Sequence, residues 1–196
     1  MKRFYSEKHK KNVIMLSPGK YFVSKNGEIL HTVLGSCIAV CIYDTEKKIG
    51  GMNHYLLPGM IHPDEILTTD VGRYGMYAME LLIGELIKHG ARRENLAAKI
   101  FGGGNVLKFR RDDGNVTESN IRFAKKFLKL EGIPVKSEDL GGDTGRKILF
   151  FTDTAKVLLK RFDVVKNQKI LDNEKAYKNM VFHKRLDDQS GSVVLF

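Results

Sequence analysis

The chain has 196 residues, 33 Lys and Arg against 23 Asp and Glu, a formal net charge of +10 and only two cysteines. That length supports one domain with a core of its own, so folding needs neither disulfides nor a structural metal. No apolar run approaches the roughly 18 residues of a membrane span, and no long apolar segment follows the basic start MKRFYSEKHKK, which predicts a soluble cytoplasmic protein without membrane insertion.

Residues 1–12 carry Lys2, Arg3, Lys8, Lys10 and Lys11 against Glu7 and read as a mobile basic N-terminal arm. Such an arm suits an acidic or anionic surface. The chain has no recognition motif and no strand that interleaves aromatic with basic residues, so nucleic acid is not the predicted partner. Beyond the arm, the pattern predicts a domain over 13–165 and a polar tail over 166–196.

VIMLSPGKYFV holds two short apolar runs about a Pro-Gly turn, and NGEILHTVL starts on an Asn-Gly turn signal. CIAVCIYD and IGGMNHYLLP are apolar runs separated by DTEKK, the pattern of an antiparallel hairpin ending at Pro58. Cys37 and Cys41, four apart on one strand, would be about 13 Å apart, beyond the span of a disulfide. C-x-x-x-C alone supplies too few ligands for a metal site, and no cofactor is predicted.

From Asp70 the period changes. Tyr74, Ala78, Leu81, Leu82, Glu85 and Leu86 follow helical spacing up to a stop at Gly90. LAAKIFGGGN reads as a buried strand running into three glycines. VTESNIRFAKKFLKLEG reads as a second helix capped by Thr117, with Phe123, Phe127 and Leu130 on its apolar face. IPVKSEDL, RKILFFTD and AKVLLKRFDVV read as strands between GGDTG and TDTA turns. The sum is an α+β fold, a layered α/β sandwich of mostly antiparallel strands with two main helices.

Chemistry concentrates in the hairpin. In LGSC, Gly35 permits a sharp turn and Ser36 is small, so their backbone N–H groups are candidates for an oxyanion hole next to the thiol of Cys37. The DTEKK loop folds His54 back towards Cys37, making them a candidate nucleophile and base. The alternative, two ordinary residues of a buried hairpin, suits Cys41 better than Cys37. FGGGN and GGDTGRK lack the lysine and spacing of phosphate loops and read as tight turns or as the rim of the site.

The series LGSCIAVCIYD, GGMNHYLLP, RYG, KIFGGGNV and DLGGDTGRK, spread in order over residues 13–162, resembles CheD, the chemoreceptor glutamine deamidase family. The resemblance implies a hydrolase that converts glutamine side chains in the cytoplasmic helical region of chemoreceptors to glutamate with release of ammonia. It also implies a side activity on glutamate methyl esters and regulation by a CheC-type phosphatase. The implied fold is similar to the catalytic domain of cytotoxic necrotising factor toxins. Matched residue by residue, the family's nucleophile falls on Cys37, its base on His54 and its orienting threonine on Thr32. In one regular strand, side chains five apart point to opposite faces, so Thr32 can serve the site only if the turn at Gly35 breaks the alternation. A module that docks a partner without turnover is the competing reading.

Overall fold

A computed structural model describes residues 1–57, 69–106 and 116–163, together with residue 176. Two five-stranded sheets lie face to face, and two helices cover one of them. The first sheet has the order β1-β2-β4-β9-β10, from β1 (Lys2–Ser6), β2 (Lys11–Met15), β4 (Ile29–Leu34), β9 (Gly145–Phe151) and β10 (Val157–Phe162). The second has the order β3-β6-β5-β7-β8, from β3 (Lys20–Ser24), β6 (Gly50–Tyr55), β5 (Ile38–Asp44), β7 (Leu96–Gly102) and β8 (Val135–Leu140). Only β2 with β4 and β7 with β8 run parallel among these pairs. The layered α+β sandwich read from the sequence is the fold observed.

The side-chain alternation of β5 builds both cores. Ile38, Val40 and Ile42 enter the layer between the second sheet and the helices. Cys37, Ala39 and Cys41 enter the layer between the sheets, with Met52 of β6, Ile14, Leu30, Leu34, Ile148 and Phe150. A strand buried on both faces reads as an unbroken apolar run, which is why IAVCIY shows no polar face.

Helix α1 (Asp70–Lys88) is capped by Thr69, whose hydroxyl accepts from the Gly72 amide at 3.2 Å. Met79, Leu82, Ile83 and Leu86, at helical spacing, are buried against the second sheet. The helix ends at His89, and Gly90 follows at φ +100°, where glycine carries no steric penalty. Helix α2 (Val116–Leu130) buries Asn120, Phe123, Ala124, Phe127 and Leu128. Two expectations for α2 are corrected. Thr117 lies inside the helix, because the helical turn already includes Val116, and Leu130 is exposed, because the stripe continues through Leu128.

The N-terminal segment also departs from expectation. Lys2–Ser6 is not a free arm but an edge strand paired with β2, with Phe4 opposite Val13 and Arg3 opposite Ile14. Arg3 lies over the Phe22 ring, 6.0 Å from its centroid, and so reaches β3 of the other sheet. Lys11 is paired with Asp153 at 2.7 Å. Charges on an outer strand discourage pairing with other chains, so the basic character serves the edge. Pro58, His62, His183 and nearly all of the tail from 166 lie outside the described residues.

Candidate active site

β4 delivers one residue from the first sheet. Leu30 and Leu34 point into the layer between the sheets, so Thr32, two residues from each, shares that face. A bend at Gly35 and Ser36 then carries the chain from the first sheet to the second. Side-chain alternation therefore does not run through from Thr32 to Cys37: these two residues project from opposite walls of the same layer. The parity conflict seen in the sequence disappears because β4 and β5 belong to different sheets.

β5 and β6 deliver the other two. Their antiparallel register pairs Ile38 with Tyr55 and Ala39 with His54, which sets Cys37, one residue before β5, diagonal to His54 on the same face. Diagonal neighbours of this kind are about 7–8 Å apart, closer at Cβ. Cys37 is 0% exposed and His54 2%. The thiol thus lies in the interior of the sandwich. Cys41, two residues further on the same face as Ala39, is also fully buried, and burial pushes its thiol pKa far up. Neither cysteine is disulfide-bonded.

The Thr32 hydroxyl has one proton and two polar neighbours. It donates to the Leu16 carbonyl at 2.9 Å and lies 2.7 Å from His54 Nδ1. A carbonyl can only accept, so in the second contact Nδ1 donates and Thr32 Oγ1 accepts. That hydrogen-bond arithmetic assigns the proton to Nδ1 and the lone pair to Nε2. Nε2 is buried without a hydrogen-bond partner among the described residues. Burial lowers the His54 pKa to about 4, against a smaller upward contribution from the Leu16 carbonyl, so the ring is neutral at neutral pH, with the Nε2 lone pair unprotonated.

Three further groups hold these residues. The Gly19 amide, in the Pro-Gly turn, donates to the His54 carbonyl at 2.7 Å. Asn120 of α2 accepts from the Leu57 amide at 2.9 Å, its backbone carbonyl accepts from Tyr55 Oη at 3.2 Å, and its side-chain amide donates to the Val116 carbonyl at 2.8 Å. It thereby fastens the exit of β6 to the helix. The amides of Gly103 and Gly104 donate to the carbonyls of Cys37 and Gly35 at 2.8 and 2.7 Å. A Cβ at Gly102 would lie 2.1 Å from the Cys37 carbonyl oxygen, and that residue has φ +115°, so glycine is required there. The FGGGN and GGDTGRK turns both close on the LGSC bend. Asn120 was legible only as a polar residue interrupting an apolar helical stripe. The Leu16 carbonyl leaves no signal in side-chain pattern.

The described residues contain no group of three or more His, Cys, Asp or Glu suited to a metal ion, and no helix among them is long and apolar enough to cross a membrane. A thiol and an imidazole of fixed tautomer share one face of this buried layer, and a hydroxyl from the opposite sheet bonds the imidazole; the class is an α+β sandwich with this constellation in its inter-sheet layer. The family description CheD chemotactic sensory transduction matches residues 56–161, and the chain belongs to this family.

Similar proteins include the probable chemoreceptor glutamine deamidase CheD 1 of Shewanella oneidensis, 42% identical over 90% of this chain and 85% of that one. That of Laribacter hongkongensis, named probable chemoreceptor glutamine deamidase CheD, is 39% identical over 98% and 92%. The Thiobacillus denitrificans protein of the same name is 47% identical over 82% and 79%.

Proposed function

We propose that this protein deamidates glutamine side chains of chemoreceptors, as the names of its relatives state for them, with Cys37 as nucleophile, His54 as general base and acid, and Thr32 as orienter. The observation that carries the mechanism is the bridge of the Thr32 hydroxyl between the Leu16 carbonyl and His54 Nδ1. It leaves Nε2 basic on the face that carries Cys37.

Nε2 takes the thiol proton as sulfur attacks the amide carbon, and the bend at Gly35 and Ser36 supplies backbone N–H groups to the resulting oxyanion. The imidazolium returns the proton to the departing nitrogen, which leaves as ammonia. Nε2 then deprotonates a water that attacks the thioester, releasing glutamate and restoring the thiol. A glutamate γ-methyl ester fits the same steps with methanol as leaving group, which makes methylesterase a side activity of this site. We assign the receptor's cytoplasmic helical region as substrate and a CheC-type phosphatase as regulator.

The test is intact-mass analysis of receptor cytoplasmic fragments after incubation. The parent protein is expected to add about 1 Da per modified glutamine, the replacement of NH2 by OH, and Cys37→Ala to add none. Equal conversion by Cys37→Ala removes Cys37 from the nucleophile's role.

A further inference from the structure

Arg146, the second residue of β9, stands opposite Leu34 in register and is 3% exposed. Its position places a guanidinium at the end of the layer between the sheets, beside the bend that leads to Cys37. Nε donates to Asp139 Oδ1 at 2.8 Å, Nη1 to the Thr144 carbonyl at 3.0 Å and Nη2 to the Gly141 carbonyl at 2.7 Å. Asp139 also accepts from Arg161 at 2.5 Å.

The loop gripped in this way grips the next one. The Gly141 amide donates to the Gly102 carbonyl at 3.0 Å, and the Asn105 amide donates to the Gly142 carbonyl at 2.7 Å. The glycine loop then donates from Gly103 and Gly104 to the carbonyls of Cys37 and Gly35. There is no slack at the joint: a Cβ on Gly104 would lie 2.6 Å from the Thr144 carbonyl oxygen and 3.2 Å from that of Gly35. Burying a guanidinium–carboxylate pair is a weak route to stability. The rigid planar fork, which lysine lacks, sets several acceptors at once.

We propose that Arg146 is a positioning residue for Cys37, fixing the 141–144 loop and through it the glycine loop that orients the LGSC bend. The inference rests on the reading of Cys37 as nucleophile. Arg146 touches no reacting atom; it sets where the thiol stands relative to His54 Nε2.

The test compares full-length Arg146→Met, Arg146→Lys and Asp139→Asn with the parent. Two quantities are read: kcat and KM on receptor fragments, and the pH profile of iodoacetamide alkylation followed on the Cys37 peptide. At a temperature where circular dichroism shows the native fold, Arg146→Met is expected to lose at least about tenfold in kcat with KM within about threefold. Its Cys37 alkylation is expected to slow, with a displaced pH profile. Arg146→Lys recovers part of both, and Asp139→Asn shows a smaller loss of the same kind.

A folded Arg146→Met with parental turnover and parental alkylation overturns the proposal, as does a loss confined to KM. If Arg146→Met does not fold, Arg146→Lys is read in the same way, and a parental thiol profile in that variant overturns it. Alkylation needs no receptor. A parent protein that fails to deamidate therefore defeats the functional reading while the thiol profile still decides the role of Arg146.

Discussion

Thr32 and His54 come from different sheets, yet the hydroxyl oxygen of one lies 2.7 Å from the ring nitrogen of the other. The hydrogen bond crosses the middle of the sandwich and fixes which imidazole nitrogen is basic. Thr32→Val keeps the shape and removes the bridge. It leaves the Leu16 carbonyl without its donor, a cost of about 1–3 kcal/mol, and frees the ring to adopt the unproductive tautomer. Deamidation by Thr32→Val is expected to fall by about a hundredfold, chiefly in kcat. Thr32→Ser, which restores the hydroxyl, is expected to recover most of it. Steady-state kinetics on receptor fragments check both.

The two thiols are equally buried in the same layer but differ in their neighbours. Cys37 lies at the LGSC bend diagonal to His54, whereas Cys41 sits inside β5 with its pKa driven up by desolvation. Cys41 is therefore expected to resist iodoacetamide in the native protein while Cys37, with a base beside it, reacts. Cys41→Ala is expected to keep turnover and lose about 1 kcal/mol of stability from the vacated volume. Peptide mapping after alkylation, together with urea unfolding of the variant, reads both outcomes.

Acid should weaken the fold through two histidines. Burial lowers the pKa of His54 to about 4 and that of His31 to about 4, the latter with help from the charge of Lys147. Both ring nitrogens of His31 are buried without a hydrogen-bond partner among the described residues. Between these values and the ordinary 6.5, the unfolded chain binds more protons than the folded one, so stability rises with pH across that window. It is complete above about pH 6.5 and is lost as pH falls towards 4. Each unit of depression corresponds to about 1.4 kcal/mol, which gives His54 alone about 3 kcal/mol at the acid end. Urea unfolding at several pH values is expected to show uptake of about two protons on unfolding, falling to about one in His31→Leu. The acid limb of kcat/KM is expected near pH 4, below the ordinary histidine range.

Asn120 ties helix α2 to the residues just after His54 through the Leu57 amide and the Val116 carbonyl. Asn120→Leu strands a buried amide, at about 1–3 kcal/mol. The expected result is a melting temperature several degrees lower and a reduced kcat, because the end of β6 loses its anchor. Thermal melts and steady-state kinetics measure the two effects, and Asn120→Asp, which keeps an acceptor for Leu57, is expected to lose less stability.

The hairpin that holds Cys37 and His54 was legible because its apolar runs flank a charged loop, and the register of β5 with β6 follows from that loop. Helix α1 was legible from its period and its stop at Gly90. Thr32 was not, since alternation along a chain cannot show that the chain changes sheets at Gly35 and Ser36. Strand β1 was hidden by its own lysine and arginine, which belong to an edge and not to a free arm. Arg146 looked like a cation beside a turn. Its burial depends on Asp139 and on carbonyls of a loop whose course the sequence pattern does not encode.

Because one wall of the sandwich carries Thr32 and the other carries His54 and Cys37, the spacing between the sheets is written into a proton position. Met52 and Phe150, which fill the same layer, act as shims. A bulkier or smaller side chain there is expected to alter the gap that the hydroxyl bridges, and with it turnover at the proposed site, before the change is large enough to unfold the protein.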